Sequence, residues 1–224
     1  MESKVFWASK GCDIINSLSV TDTRTYYYCS PQVFKYSYDR YFLTRDNFVV
    51  DGLFSQLLVY YYSKVLLPVQ NIDLSGVWPE LIHWIEYNDM KLHILGGSSE
   101  EVQYFADRHA FLKTKIYPVD GFRDVNFYTN YIEQLGCDDI VLMSLGSEKQ
   151  VDVSMTLKEC SCNVIHSGAF VSQYYEARGE KYYPVYFDFP GLRIFYRLYK
   201  ESLVRRHTVS YSFMLKTILK WKLS

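Results

Sequence analysis

The chain has 224 residues, with 24 Lys and Arg against 25 Asp and Glu, 49% hydrophobic and 22% charged residues, a balance that excludes disorder and collagen-like structure. The length suits one large α/β domain or two small ones. No run of about 18 apolar residues occurs, and Glu2, Lys4, Lys10 and Asp13 stand where a secretory signal needs an apolar block, so neither a membrane span nor secretion by that route is expected.

Five cysteines, Cys12, Cys29, Cys137, Cys160 and Cys162, form no CxxC pair. An odd, scattered set suits a reducing compartment, and the cytoplasm is the expected location. The charge is segregated: residues 193–224 carry eight Lys and Arg against Glu201 alone, a net +7, which leaves −8 on the preceding 192 residues. A basic tail on an acidic body is a device for holding something anionic close to that body. The chain is expected to divide into a core over residues 1–190 and a basic helical appendage over 191–224.

In chain order, Tyr26–Cys29 and Phe48–Val50 read as short strands. Leu53–Leu66 has helical spacing, and Pro79–Tyr87 reads as a helix with Pro at its start. Leu92–Leu95 is a further strand, followed by a helix over Ser98–Phe111 in which Ser98 caps and Glu101 sits three residues on. Ile140–Leu145 and Asn163–His166 complete the strands. Strand, turn and helix in repetition predict an α/β fold, a Rossmann-like, mostly parallel sheet flanked by helices, whose ligands bind at the carboxyl ends of the strands.

Small and polar residues collect at those ends: Ser30-Pro31-Gln32, Asp51-Gly52, Gly96-Gly97-Ser98, Gly146-Ser147-Glu148-Lys149-Gln150 and Gly168-Ala169-Phe170. Gly96-Gly97-Ser98-Ser99 before a helix suits either a diphosphate seat or an ordinary tight βα turn. Asp51 suits either a reactive carboxylate at a strand end or the N-cap of the 53–66 helix.

The succession Ser30-Pro31-Gln32, Val50-Asp51-Gly52, Leu95-Gly96-Gly97, Asp120-Gly121-Phe122, Leu145-Gly146-x-x-Lys149-Gln150, Gly168-Ala169-Phe170 and Gly191-Leu192-x-x-x-Tyr196-Arg197-Leu198 resembles the WecG/TagA/CpsF family of bacterial glycosyltransferases, family 26. The similarity covers about residues 26–210. It implies metal-independent transfer of a sugar, usually a hexosamine type, from a UDP-linked donor to a polyprenyl-diphosphate-linked acceptor. The implied setting is the cytoplasmic membrane face, in capsule, exopolysaccharide or teichoic acid synthesis, with no further cofactor and with room for a homo-oligomer. By position, the resemblance gives Asp51 the role of general base and Ser30 that of the neighbouring hydroxyl. Gly96, Gly97, Gly121, Phe122, Gly146, Lys149, Gln150 and Gly168 inherit the nucleotide-sugar pocket, and Arg197, Arg205 and Arg206 inherit contacts to the acceptor diphosphate.

The chemistry suits those roles. An acceptor hydroxyl is a poor nucleophile and needs a carboxylate within hydrogen-bond reach. The departing nucleoside diphosphate gains negative charge that must be stabilised. His83, His93, His109, His166 and His207 have no Asp, Glu or Cys partners at metal-ligand spacing, so backbone amides and arginines are the remaining candidates. The chain also departs from the family pattern. Only 21 residues separate Ser30 from Asp51, Val50 replaces a Pro, Glu148 and Val151 flank Lys149-Gln150 where the family has Pro and Glu, and Val171 replaces an Asp. Ser75-Gly76-Val77-Trp78 and Asp73 also differ from the family's polar residues.

Arg193, Arg197 and Lys200 share one helical stripe, and farther on Phe213, Met214, Leu215, Ile218, Leu219 and Trp221 alternate with Lys216, Lys220 and Lys222. A packed helix with a solvated basic face has this pattern, and so does an amphipathic helix lying in a membrane surface. The resemblance favours the membrane. A nucleic-acid partner is not expected, because the core is acidic. The competing expectation to an enzyme is a catalytically silent relative that binds a nucleotide sugar or serves as a scaffold at the membrane. A nicotinamide-dependent oxidoreductase is set aside for want of a GxGxxG after the first strand.

Overall fold

The structure is a computed structural model that describes residues 6–8, 11–18, 25–29, 47–50, 57, 60, 74–112, 114–157, 160–187, 192–200, 212 and 216. In chain order its elements are β1 (Phe6–Ala8), α1 (Gly11–Ser17), β2 (Thr25–Cys29), β3 (Asn47–Val50), α2 (Leu74–Tyr87), β4 (Lys91–Gly96), α3 (Ser99–Arg108) and β5 (Ile116–Val119). They continue with α4 (Val125–Glu133), β6 (Asp139–Ser144), α5 (Ser147–Thr156), β7 (Asn163–His166), α6 (Phe170–Glu176), a 3-10 turn at Val185–Phe187 and α7 (Arg193–Lys200). The chain divides into two compact units, one of residues 11–27 and 73–182, the other of residues 1–10, 28–72 and 183–224.

The first unit holds an open parallel sheet in the order β2–β7–β6–β4–β5, which β2 enters through Thr25 and Tyr26. β4, β5, β6 and β7 are parallel because each is followed by a helix that carries the chain back across the sheet. Both faces are therefore covered, which explains why consecutive residues of β4, β6 and β7 are buried. Leu92, Ile94 and Leu95 of β4, Ile140 to Met143 of β6, and Val164 and Ile165 of β7 are fully buried. Each such side chain contributes about 1.5–3 kcal/mol when taken out of water.

On one face Tyr128 and Ile132 of α4 and Val153 of α5 pack against Leu95, Val141, Met143 and Val164. On the other, α3 and α2 both meet α6, and Trp78, Phe105 and Phe170 form an aromatic cluster with ring centroids 5.0–5.7 Å apart. The architecture is the α/β, Rossmann-like, parallel-sheet fold expected from the alternation of elements.

In the second unit β1 and β3 pair in parallel, with Trp7 opposite Phe48. Farther on, the Tyr196 ring of α7 lies 5.8 Å from that of Tyr183 and 5.5 Å from that of Phe187, and the Arg193 guanidinium sits 4.5 Å over the Tyr183 ring. Phe195 and Tyr199, one turn apart on α7, are exposed.

All five expected strands are present, and β1 and β5 join them. The helix expected to start at Pro79 begins instead at Leu74 and carries Pro79 inside it. The added turn buries Val77 and Trp78, while Pro79 faces solvent. The helix expected to run to Phe111 stops at Arg108. There the His109 ring turns back so that its Nδ1–H donates to the Phe105 carbonyl at 2.9 Å, replacing an intrahelical partner. Of the expected 53–66 helix, the described residues Leu57 and Tyr60 are helical.

Candidate functional site

Topology locates the site. From β4 the chain passes through α3 to β5 on one side, then returns through α4 to β6 on the other side of β4, and continues outward to β7. The order of strands thus reverses between β4 and β6. In an open parallel sheet the loops leaving two such strands diverge to opposite faces and leave a crevice at their carboxyl ends, where ligands bind. Gly96 of β4 and Ser144 of β6 are register partners at that point.

Gly96 is held there by contact as well as by conformation. Its φ is +131°, and a Cβ would stand 2.1 Å from the Ser144 carbonyl oxygen. The next residue, Gly97, accepts the Gly121 N–H at 2.7 Å through its carbonyl, which ties the turn after β4 to the turn after β5. That second turn is fixed from several sides. The Tyr128 hydroxyl donates to the Asp120 carbonyl at 2.5 Å and accepts the Arg123 N–H at 3.1 Å. The Lys149 ammonium donates to the carbonyls of Gly121 and Arg123 at 2.8 and 3.0 Å. Asp120 accepts the Phe122 N–H at 3.1 Å and pairs with Arg123. Phe122, 79% exposed, is the aromatic presented by this fastened turn. Burial pushes the Tyr128 hydroxyl above its ordinary pKa, so it acts as a neutral donor and acceptor.

The helix N-termini at this edge differ in what fills them. At α3, Ser98 Oγ accepts the Glu101 N–H at 3.2 Å and Glu101 Oε2 accepts the Ser98 N–H at 2.7 Å, a reciprocal capping box. The same Glu101 oxygen accepts from Ser172 Oγ of α6 at 3.1 Å. A carboxylate already sits at the end of α3 where an anionic ligand would go. At α4, Asp124 accepts the Phe127 N–H at 2.7 Å. At α6, the Val171 N–H reaches Ser144 Oγ at 3.3 Å.

At α5 the N-cap is Gly146, with φ 79° and ψ 155° and no side-chain cap. That conformation is essentially confined to glycine. A Cβ on Gly146, or on Gly168 at the end of β7, would meet no described atom within 4 Å. Among the described residues, nothing occupies the space in front of the α5 terminus, which carries the positive end of the helix dipole.

Gly168 is held from behind, its carbonyl accepting from Ser144 Oγ at 3.0 Å and from Gln150 Nε2 at 3.1 Å. Next to it, Ser167 Oγ is buried with no hydrogen-bond partner among the described residues, a feature native structures rarely leave unmet.

The structure thus gathers Gly96, Gly97, Gly121, Phe122, Gly146, Lys149, Gln150 and Gly168 along the carboxyl edge of one sheet. Within that set Lys149 and Gln150 shape the turns through backbone carbonyls, and Gln150 is buried. Ser30, Asp51, Arg205 and Arg206 lie outside the described residues, and Arg197 lies in α7 with its side chain outside them. The capping box of Ser98 and Glu101 expected from the sequence is present at the α3 terminus, whereas sequence reasoning did not single out Ser144 as the hub of the Gly168 turn, or Tyr128 and Ser167. A hydroxyl closing the apolar run Ile140 to Met143 was the available signal for Ser144.

Two buried histidines elsewhere in this unit are structural. His109 Nε2 accepts the Trp78 indole N–H at 3.0 Å, so with Nδ1–H on Phe105 the ring is neutral, and burial holds its pKa below the usual value. His93 bridges Tyr131 at 2.7 Å and Asp139 at 2.8 Å; burial lowers its pKa more than Asp139 raises it. No group of His, Cys, Asp and Glu suited to hold a metal ion occurs among the described residues.

No protein-family model matches the chain, and no curated protein matches it. Among the described residues no helix is long and apolar enough to cross a membrane.

Proposed function

We propose that the protein is a glycosyltransferase that moves a sugar from a nucleoside-diphosphate donor, UDP-linked, to a polyprenyl-diphosphate-linked acceptor at a membrane surface. The observation that carries this reading is the reversal of strand order between β4 and β6 beside the start of α5, where Gly146 supplies no side-chain cap.

In this reading the diphosphate lies against the start of α5 behind Gly146, where backbone amides and the helix dipole take up the charge that develops on the leaving group. Phe122 offers its ring to the base, and Ser167 Oγ gives the ligand a hydroxyl. By the family resemblance, Asp51 serves as general base for the acceptor hydroxyl as the new bond forms at the anomeric carbon, and Ser30 has the role of the hydroxyl that assists it. Arg197, Arg205 and Arg206 hold the acceptor diphosphate. The basic C-terminal segment, with Phe195 and Tyr199 exposed on α7, rests on the inner, anionic face of the cell membrane.

A second reading, a silent protein that binds the nucleotide sugar without turning it over, draws on Lys149 and Gln150. Both are spent on backbone carbonyls. The discriminating experiment measures UDP release from a panel of UDP-sugars with a short-chain lipid-diphosphate acceptor, for the wild type and Asp51→Asn. Turnover lost only in the variant supports the enzyme. Donor binding without turnover in either chain supports the silent reading, and neither binding nor turnover contradicts both.

A further inference from the structure

Cys160 and Cys162 flank Ser161 just before β7. Residues two apart on a straight strand project to the same side about 7 Å apart, yet here the chain bends at Cys162 and the two sulfurs lie 3.4 Å from each other. They differ in surroundings. Cys162 is 1% exposed and belongs to the core cluster with Tyr128, Ile132 and Val164, whereas Cys160 packs at the margin of that cluster and is partly exposed. Cys160, Cys162 and the exposed Cys137 are present as thiols.

We propose that Cys160 and Cys162 form a reversible dithiol–disulfide site that is oxidised by peroxides, Cys160 being the sulfur attacked first and Cys162 the one that resolves it. The accessible Cys160 meets the oxidant. Its thiolate attacks one peroxide oxygen, the O–O bond breaks, and the departing oxygen leaves as water after protonation, which gives a sulfenic acid on Cys160. The buried Cys162 thiol, already in contact, then attacks the Cys160 sulfur. It loses its proton, the S–O bond breaks and a second water leaves. Two thiols are thereby oxidised by two electrons and one hydrogen peroxide is reduced to two waters. A dithiol reductant reverses the step by thiol–disulfide exchange.

The electrostatics favour this division of roles. The hydrogen bond between the two sulfurs, which either can donate, lowers the Cys160 pKa to about 7, against burial and the Glu133 carboxylate, which raise it; while protonated, Cys160 Sγ donates to the Cys162 carbonyl at 3.2 Å. Cys162 is pushed up by its hydrogen bond to Cys160, by burial, and by the charges of Cys160 and Asp139. A thiolate at neutral pH beside a protonated partner is the arrangement that attack followed by resolution needs.

The test treats the full chain with one equivalent of hydrogen peroxide, blocks remaining thiols with N-ethylmaleimide and maps the peptides by mass. The expected 160–162 peptide is unalkylated, lighter by two hydrogens, and restored by dithiothreitol, while Cys137 is alkylated. In Cys162→Ala a dimedone-trapped sulfenic acid should accumulate on Cys160, and Cys160→Ser should leave Cys162 reduced. Before oxidation, the alkylation rate of Cys160 should rise with pH through a midpoint near 7. Alkylation of both cysteines after peroxide treatment, or a disulfide that joins either one to Cys137, overturns the proposal, and the wild-type map alone decides it should a variant fail to fold.

Discussion

Gly96 stands against the backbone of Ser144 so closely that a Cβ at position 96 would lie 2.1 Å from the Ser144 carbonyl oxygen. The contact is between two main chains in the middle of the sheet, so no side-chain rotation relieves it. Gly96→Ala is expected to cost at least about 4 kcal/mol, at the extreme of single substitutions. Gly146→Ala meets no described atom within 4 Å and should cost the strain of its backbone conformation, about 1–3 kcal/mol. Urea unfolding of both variants checks the ranking; equal losses would show that the β4–β6 contact is softer than the geometry requires.

Lys149 is expected to behave as a brace for the turn after β5. Lys149→Met keeps the stem and removes the donor to the Gly121 and Arg123 carbonyls. The expected loss is about 1–2 kcal/mol, with faster hydrogen exchange at residues 121–123 and none at β6. Unchanged exchange at that turn would remove the bracing role.

Stability should fall on mild acidification. His109 is neutral in the fold and its pKa is held below the ordinary 6.5 by burial. The unfolded chain therefore binds a proton first as pH drops, and stability rises with pH across the window between the lowered value and about 6.5. Stability from this group is present above about 6.5 and lost as pH falls through the folded pKa. His93, lowered for the same chief reason, adds in the same direction. Thermal unfolding at pH 7.5 and 5.5 should give the lower midpoint at 5.5, and His109→Gln should flatten the dependence. A midpoint that rises at pH 5.5 is the contrary result.

The exposed aromatics of α7 give the membrane reading its most local test. Phe195→Ser with Tyr199→Ser removes two exposed rings and should leave the melting temperature within about 2 °C, as surface changes do. Sedimentation with vesicles containing anionic phosphatidylglycerol should weaken about tenfold or more. Equal vesicle binding by both chains at low salt would make this face something other than a membrane contact.

What could be read from the sequence follows from where each element sits. β4, β6 and β7 lie inside the sheet, covered on both faces, so their short apolar stretches stand out in the sequence, His93 of β4 notwithstanding. β5 is an edge strand paired only with β4 in this sheet, half exposed and carrying Pro118, which leaves neither an apolar run nor an alternation to recognise. Pro79 misled because proline usually marks a first turn, while the burial of Trp78, one residue earlier, rests on His109 and Phe105 far along the chain.

The glycines of the crevice were legible as strand-end residues. The work of Lys149 and Gln150 was not, because their acceptors at 121, 123 and 168 are brought near only by the sheet. The paired sulfurs of Cys160 and Cys162 were likewise hidden, since two thiols at i and i+2 meet only through the bend before β7.

Calorimetric titration of the wild type and Gly146→Ala with UDP and with uridine tests whether a nucleoside diphosphate is seated against the start of α5. UDP is expected to bind at least about tenfold more tightly than uridine, a difference of about 1.4 kcal/mol supplied by the diphosphate, and the advantage should shrink in a folded Gly146→Ala chain, whose methyl group enters the seat. Equal affinity for UDP and uridine, or no binding of either, would contradict that seating.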